Sequence, residues 1–287
     1  MIVWLASYPK SGNTWLRAFI SSILYSENGQ MNKNLWEKIQ QFPMVKNFDG
    51  LISDQDTFYL KNKEHIYKLF EQIITAQDKL NLDNKIKFLK THFLNCKIDK
   101  YNFTDQNNTL GTIHIVRDPR NVISSLKHHY LLNDYNEASE FLFNEEKWIV
   151  EEENKQLIHA PILLSSWATH YNMWKKSKKN YLLIKYENLI SNPFDEFKKL
   201  KTFIEDLLKI NISMEKFQNA INSTSFDKLK KMEDQNEFFE NSIGKDNKKT
   251  TFFRSGKDNN WEDLLDKDLT KMIEKKFFKE MKELKYI

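Results

Sequence analysis

Apolar and polar positions follow two different spacings at the start of this chain. Ile2-Val3-Trp4-Leu5-Ala6 is an unbroken apolar run ahead of Pro9 and Gly12, the pattern of a buried strand. Trp15, Ala18, Phe19, Ser22 and Ile23, apolar but for one serine, then recur at the spacing of one helix face. The chain therefore opens as strand, tight loop and helix. Further on, Asn34 to Phe42 reads as a short helix ended by Pro43. Residues 44–57 lack a clean period and read as a surface loop. His65 to Leu82 has the pattern of a packing helix. Ile86 to His92 alternates and ends in polar groups, and Thr112 to Val116 is a second apolar run; both read as strands.

The same reading continues to the end of the chain. Asp118 and Pro119 fit the cap and first turn of a helix. Residues 131–160 are acidic and irregular, consistent with either a solvated segment or a lid. Pro161 to Lys175 reads as a helix with Trp167, Tyr171 and Trp174 on one face. Tyr181 to Tyr186 reads as a strand, and Phe194 to Lys209 as a basic amphipathic helix. Ser223 to Phe226 would cap a further helix, residues 233–250 are polar and read as mobile, and Asp266 to Leu284 reads as helical. Strands alternating with helices imply an α/β fold, a parallel sheet covered by helices on both faces. At 287 residues the length suits one large domain or two smaller ones. No repeat or Gly/Ser-rich linker divides the chain, so a single domain over residues 1–287 is expected.

Composition narrows the function. Charged residues are 29% and apolar ones 40% of the chain, as in soluble globular proteins. A net charge of only +4 makes no case for a nucleic-acid or anionic-membrane partner. No run approaches the roughly 18 apolar residues of a membrane span. The first residues lack the charged and apolar regions of a signal peptide, and a cytoplasmic protein is expected. The single cysteine, Cys96, excludes an intrachain disulfide and a cysteine-rich metal site. Of 44 basic residues only Arg17, Arg117, Arg120 and Arg254 are arginines. A chain that otherwise uses lysine has a reason to keep a planar, multi-donor guanidinium where it does, phosphate binding among them.

Three stretches carry candidate chemistry. The loop Lys10-Ser11-Gly12-Asn13-Thr14 sits at a helix start, where unsatisfied N–H groups form an anion site. A lone Lys-Ser-Gly is equally compatible with an ordinary turn. It is not a P-loop, because Lys10 precedes the only Gly instead of following a second one. Lys90 and His92 stand at the carboxyl end of a strand, where sites of open parallel sheets lie, and His is the usual base near neutral pH. Arg117 ends another strand, with Ser125 eight residues on. In isolation this pair fits phosphate binding and a buried salt bridge to an Asp equally well.

Taken whole, Tyr8-Pro9-Lys10-Ser11-Gly12-Asn13-Thr14-Trp15 resembles the 5′-phosphosulfate loop of sulfotransferases that use 3′-phosphoadenosine 5′-phosphosulfate (PAPS). Asn13 stands where that family often has Thr. Lys90-Thr91-His92 resembles the family's catalytic-histidine segment, and Arg117 to Ser125 its 3′-phosphate motif. Tyr186-Glu187, Thr224-Ser225-Phe226 and Arg254-Ser255-Gly256 with Trp261 are similar to later family segments. In the last of these, Ser255 replaces a Lys and Asn259 a Gly, and Lys257 offers a compensating charge. The segments occur in family order over nearly the whole chain.

The resemblance implies a P-loop-NTPase-like sulfotransferase fold and sulfuryl transfer from PAPS to a hydroxyl or amine, with adenosine 3′,5′-bisphosphate (PAP) as product and no metal. It implies that His92 takes the acceptor proton, Lys10 stabilises the leaving oxygen and Lys90 binds the transferring sulfonate. Ser11, Gly12, Asn13 and Thr14 would cradle the 5′-phosphate. Trp15, Tyr186, Thr224 and Phe226 would contact adenine. Arg117, Ser125, Arg254, Ser255 and Gly256 would hold the 3′-phosphate. His128 and His129 would lie on a helix surface near the acceptor. The acceptor would be a small molecule, lipid or glycan; a homodimer is one assembly the sequence allows. A P-loop kinase or NTPase would need a differently placed Lys and an acidic Mg²⁺ ligand, for which Asp118 is the one candidate. A non-catalytic nucleotide-binding protein would have no use for both Lys10 and His92.

Overall fold

In the computed structural model, residues 1–52, 63–150, 152–153, 156–157, 160–177, 179–238, 251–254 and 260–287 are described. Four strands form the central sheet: β1 (Ile2–Ser7), β2 (Lys87–Thr91), β3 (Thr109–Val116) and β4 (Tyr181–Lys185), in the order β4-β3-β1-β2. β1 and β2 are parallel, with Ile2 opposite Lys87 and Ala6 opposite Thr91. Every residue of β1 is buried, which explains why it is apolar without alternation. The helices are α1 (Asn13–Tyr25), α2 (Lys63–Glu71), α3 (Ile73–Asn81), α4 (Pro119–His129), α5 (Tyr135–Phe143), α6 (Trp167–Lys175), α7 (Tyr186–Ser191), α8 (Pro193–Leu208), α9 (Met214–Ser223), α10 (Phe226–Asp234), α11 (Lys267–Lys276) and α12 (Phe278–Glu283).

The chain forms two compact units. The first comprises residues 1–8, 40–114 and 144–183. Its core is aromatic: Trp4 packs on Phe42, Phe103 and Trp174, and Phe93 stacks on Phe103 with centroids 4.9 Å apart. The Trp4 indole N–H donates to Thr109 Oγ1 at 3.0 Å, so this large buried ring leaves no polar group unpaired. The second unit comprises residues 9–39, 115–143 and 184–287. Here α1 packs on α8 and α9 through Phe19, which stacks on Phe197 at 4.0 Å and meets Phe217 edge-on. A second cluster gathers Ala18, Trp36, Leu229, Met232, Phe238 and Phe253, with Trp15, Met31, Phe226 and Phe252 half-buried against it.

Several sequence expectations shift. The helix expected over 34–42 is a 3-10 turn, Lys33–Lys38. The helix expected over 65–82 is two, because the backbone turns at Gln72 between α2 and α3. The stretch from Pro161 starts extended: Ile162 and Leu163 pair with Trp148 and Ile149, and Ser166 then caps α6 by accepting from Thr169 N. Residues 97–110, polar and read from sequence as a loop, contain a small antiparallel pair, Lys97–Ile98 with Tyr101–Asn102. Within the acidic stretch 131–160, read as a solvated segment or a lid, residues 135–143 form α5, while 151, 154–155 and 158–159 lie outside the described residues. The expected mobile stretch is helical up to Asp234, and 239–250 lies outside the described residues.

Candidate active site

The second unit contains the loop between β1 and α1. Lys10 (φ 65°) and Gly12 (φ 99°) both adopt left-handed backbone conformations. Glycine adopts this without steric cost, whereas Lys10 is held there against it. Gly12 is the N-cap of α1, and no side chain caps the helix. A Cβ on Gly12 would lie 2.4 Å from Tyr186 Cδ2, so only glycine fits this approach. Ser11 is 1% exposed, and its hydroxyl has no hydrogen-bond partner among the described residues. A buried hydroxyl without a partner is uncommon in a folded chain. A phosphate oxygen at an N-terminus rich in N–H groups is the acceptor it fits.

Arg117 leaves the end of β3 towards the same loop. Asp118 caps α4 by accepting from Arg120 N, and Pro119 sits in the first turn, which fixes where the strand ends. The Arg117 guanidinium is buried. It donates from Nη1 to the Lys10 carbonyl at 3.1 Å and to Ser125 Oγ at 3.4 Å, and lies 4.2 Å from the Tyr186 ring centroid. Tyr186 is the first residue of α7. Burial pushes its phenol pKa up, against the opposing pull of Arg117. Trp15 meets Tyr186 edge-on at 6.2 Å. Lys10 Nζ lies 3.9 Å from the Phe252 ring centroid, and the Glu233 carboxylate accepts from the backbone N–H groups of Phe252 and Phe253 at 2.6 and 2.8 Å. Cationic groups, a helix start and an aromatic wall thus converge within one unit. Groups of these kinds can hold a planar ring bearing anionic groups.

The first unit contains His92, just past β2. Register pairing of Ala6 with Thr91 brings Ser7 beside it. The ring Nδ1 lies 2.7 Å from the Ser7 carbonyl and 3.2 Å from Ser7 Oγ. A carbonyl only accepts, so Nδ1 carries the proton and donates it, and the lone pair of the neutral ring is on Nε2. The segment is held from several directions. Phe93 N donates to Thr91 Oγ1, Trp174 Nε1 donates to the Phe93 carbonyl at 2.9 Å, and His170 Nε2 donates to the His92 carbonyl at 3.2 Å. His170 is fully buried, and burial lowers its pKa to about 3, so it remains neutral. Lys90 is half-buried in β2, and its backbone pairs with Gln40 and Phe42.

The sulfotransferase-domain family model matches residues 2–285. The chain belongs to the sulfotransferase family. It is therefore a transferase, and PAPS is the sulfuryl donor of that family. Sulfotransferase 1B1 of Canis lupus familiaris is 25% identical over 261 residues, 90% of this chain and 75% of that protein. The amine sulfotransferase of Oryctolagus cuniculus is 21% identical over 99% of this chain and 83% of its own length. Among solved structures, mouse sulfotransferase SULT7A1 complexed with PAP superposes with a TM-score of 0.57 at 19% identity, covering 98% of this chain and 84% of that one. Retinol dehydratase in a complex with retinol and PAP superposes with a TM-score of 0.58 at 20% identity, covering 98% and 81%. These likenesses establish the fold, a central parallel sheet flanked by helices in the sulfotransferase arrangement. The kinase and binding-protein alternatives fall away. No described helix is long and apolar enough to cross a membrane.

Measured against the sulfotransferase motifs, the structure gathers Lys10, Ser11, Gly12, Asn13, Thr14, Trp15, Arg117, Ser125 and Tyr186 around the loop and its neighbours. Phe226 packs on the same aromatic cluster. Thr224 ends α9 instead of capping α10; it is fully buried, and its hydroxyl donates to the Ala220 carbonyl at 2.7 Å. Arg254 is exposed, and Ser255 and Gly256 lie outside the described residues. His128 and His129 lie on α4, and His128 Nε2 donates to the Thr251 carbonyl at 3.3 Å. The salt bridge to Asp118 is made by Arg120, at 2.7 Å, with a second to Glu274 at 2.6 Å. Arg17 donates to the Trp36 carbonyl at 3.0 Å. Two of the four arginines thus hold the fold together. Ser7, Glu233 and His170 went unrecognised in the sequence because their partners are distant along the chain and no local pattern marks them.

Proposed function

We propose that the chain transfers the sulfuryl group of PAPS to a hydroxyl or amine of a small-molecule, lipid or glycan acceptor, with both units working as one sulfotransferase domain over residues 1–287. The observation that carries the reading is the buried hydroxyl of Ser11, without a partner among the described residues, at the start of α1. PAPS supplies an already activated sulfuryl group, so the protein's work is positioning and charge stabilisation. Ser11, Gly12, Asn13 and Thr14 cradle the 5′-phosphate with hydroxyl, amide and backbone donors. Arg117, with Ser125 and the segment Arg254-Ser255-Gly256, binds the 3′-phosphate. Trp15, Tyr186 and Phe226 wall the adenine, with Thr224 packed behind. Lys10 moves from the Phe252 ring to the charge that grows on the leaving oxygen, and Lys90 orients the sulfonate. His92 Nε2 accepts the acceptor's proton as its oxygen or nitrogen attacks. The proposed setting is cytoplasmic, with no nucleic-acid partner, and a homodimer is the assembly to test first by light scattering.

Two separate anion subsites distinguish this reading from a general nucleotide site. PAP should raise the melting temperature well above the shift given by ATP at equal concentration, because ATP lacks the 3′-phosphate that Arg117 is proposed to bind. Equal shifts in a thermal-unfolding assay would show that the 3′-phosphate is not recognised.

A further inference from the structure

Arg117 and Tyr186 lie on segments far apart in sequence, yet the guanidinium rests on the ring. Each is followed by a residue that explains this. Next to Tyr186 is Glu187, whose Oε1 accepts from the backbone N–H of Asp118, next to Arg117, at 2.9 Å. Its other oxygen, Oε2, accepts from the Tyr286 hydroxyl at 2.9 Å. One carboxylate therefore ties the end of β3 to the start of α7, and Tyr286 fixes that carboxylate. Tyr286 is itself held from several sides. Its carbonyl accepts from Arg120 Nη2 at 2.8 Å, and its ring lies 4.4 Å from Lys185 Nζ. Burial, with Glu187 beside it, pushes the Tyr286 phenol well above its ordinary pKa, so the hydroxyl keeps the proton it donates. Burial also raises Glu187, with the Asp118 N–H and Tyr286 hydroxyl opposing that rise.

We infer that Tyr286 and Glu187 are positioning residues that set Arg117 against Tyr186 and thereby tune recognition of the nucleotide's 3′-phosphate. This deepens the cofactor reading above and rests on it. Neither residue needs to touch the nucleotide. Without the Tyr286 hydroxyl the carboxylate loses the donor on its Oε2, and the β3 end loses a fixed distance to α7. A charge-assisted contact on a guanidinium depends steeply on such placement.

The test is calorimetry on the full chain with two probes, PAP and adenosine 5′-phosphate, which lacks the 3′-phosphate. Tyr286→Phe removes one oxygen and keeps the ring over Lys185. It should weaken PAP binding about tenfold and leave adenosine 5′-phosphate binding within about twofold. Glu187→Gln, which preserves side-chain size, should shift the ratio in the same direction and serves if Tyr286→Phe is too unstable to titrate. An unchanged ratio of the two affinities, including equal weakening of both, would overturn the inference and leave Tyr286 a purely structural residue. Failure of the wild-type chain to prefer PAP would instead overturn the cofactor reading, and this inference with it.

Discussion

Replacing His92 with alanine should lower kcat by about 10²–10⁴-fold, the usual value of general-base catalysis, while PAP affinity stays at the wild-type level. The expectation follows from the ring's hydrogen bonding. Nδ1 is committed to the Ser7 carbonyl, so Nε2 carries the lone pair that removes a proton. The ring is also anchored, since Trp174 and His170 hold the backbone around it, and an anchored base loses little freedom in the transition state. The defect should shrink for acidic phenols, which are partly ionised without help. Lys10→Ala should behave differently. Lys10 is proposed to touch the donor in the ground state and the leaving oxygen in the transition state, so affinity and kcat should both fall. Single-turnover rates and PAP affinity, measured for both folded variants, separate the two roles. Near wild-type turnover of His92→Ala on an aliphatic alcohol would transfer the search for a base to His128 and His129.

The second large effect belongs to Arg117. Truncating one partner of a buried, hydrogen-bonded charge pair costs about 2–5 kcal/mol, so Arg117→Ala should weaken PAP binding by at least about tenfold. Arg117 also donates to the Lys10 carbonyl, and Lys10 stands at a left-handed backbone position. Its loss should therefore loosen the 5′-phosphate loop as well, and adenosine 5′-phosphate should bind somewhat more weakly too. Calorimetry with both ligands, on a variant whose circular dichroism matches wild type, reads the two parts. Unchanged PAP affinity would show that the guanidinium supports the loop alone.

Why some of this was visible in the sequence and some not has a physical basis. β1, the loop and α1 were legible because each is decided locally: a wholly buried strand must be apolar, and a helix with one buried face repeats every three or four residues. Asp118 and Pro119 were legible for the same reason, since capping is a matter of adjacent residues. What tertiary pairing decides was not. Ile162 and Leu163 are extended because they pair with Ile149 and Trp148, whereas helical spacing from Pro161 to Lys175 suggested one continuous helix. Arg120 is one of four arginines whose task the sequence leaves open, and of its partners, Asp118 and Glu274, the second comes from outside any local pattern. Thr224 carries the hydroxyl of an N-cap but closes the preceding helix. Ser7 beside His92, Glu233 beneath Phe252 and Tyr286 behind Glu187 are contacts no local spacing encodes. The candidate residues themselves stand out in the sequence because their motifs are contiguous.

The central claim is sulfuryl transfer from PAPS, and turnover tests it most directly. The full chain is incubated with PAPS labelled in the sulfonate and with a panel of phenols, alcohols, amines, lipids and sugars, and both PAP and labelled product are followed. Label should transfer to at least one acceptor class, with one PAP formed for each sulfated product, and that transfer should be lost in His92→Ala. PAP binding without label transfer to any acceptor class, from a folded chain, would contradict it.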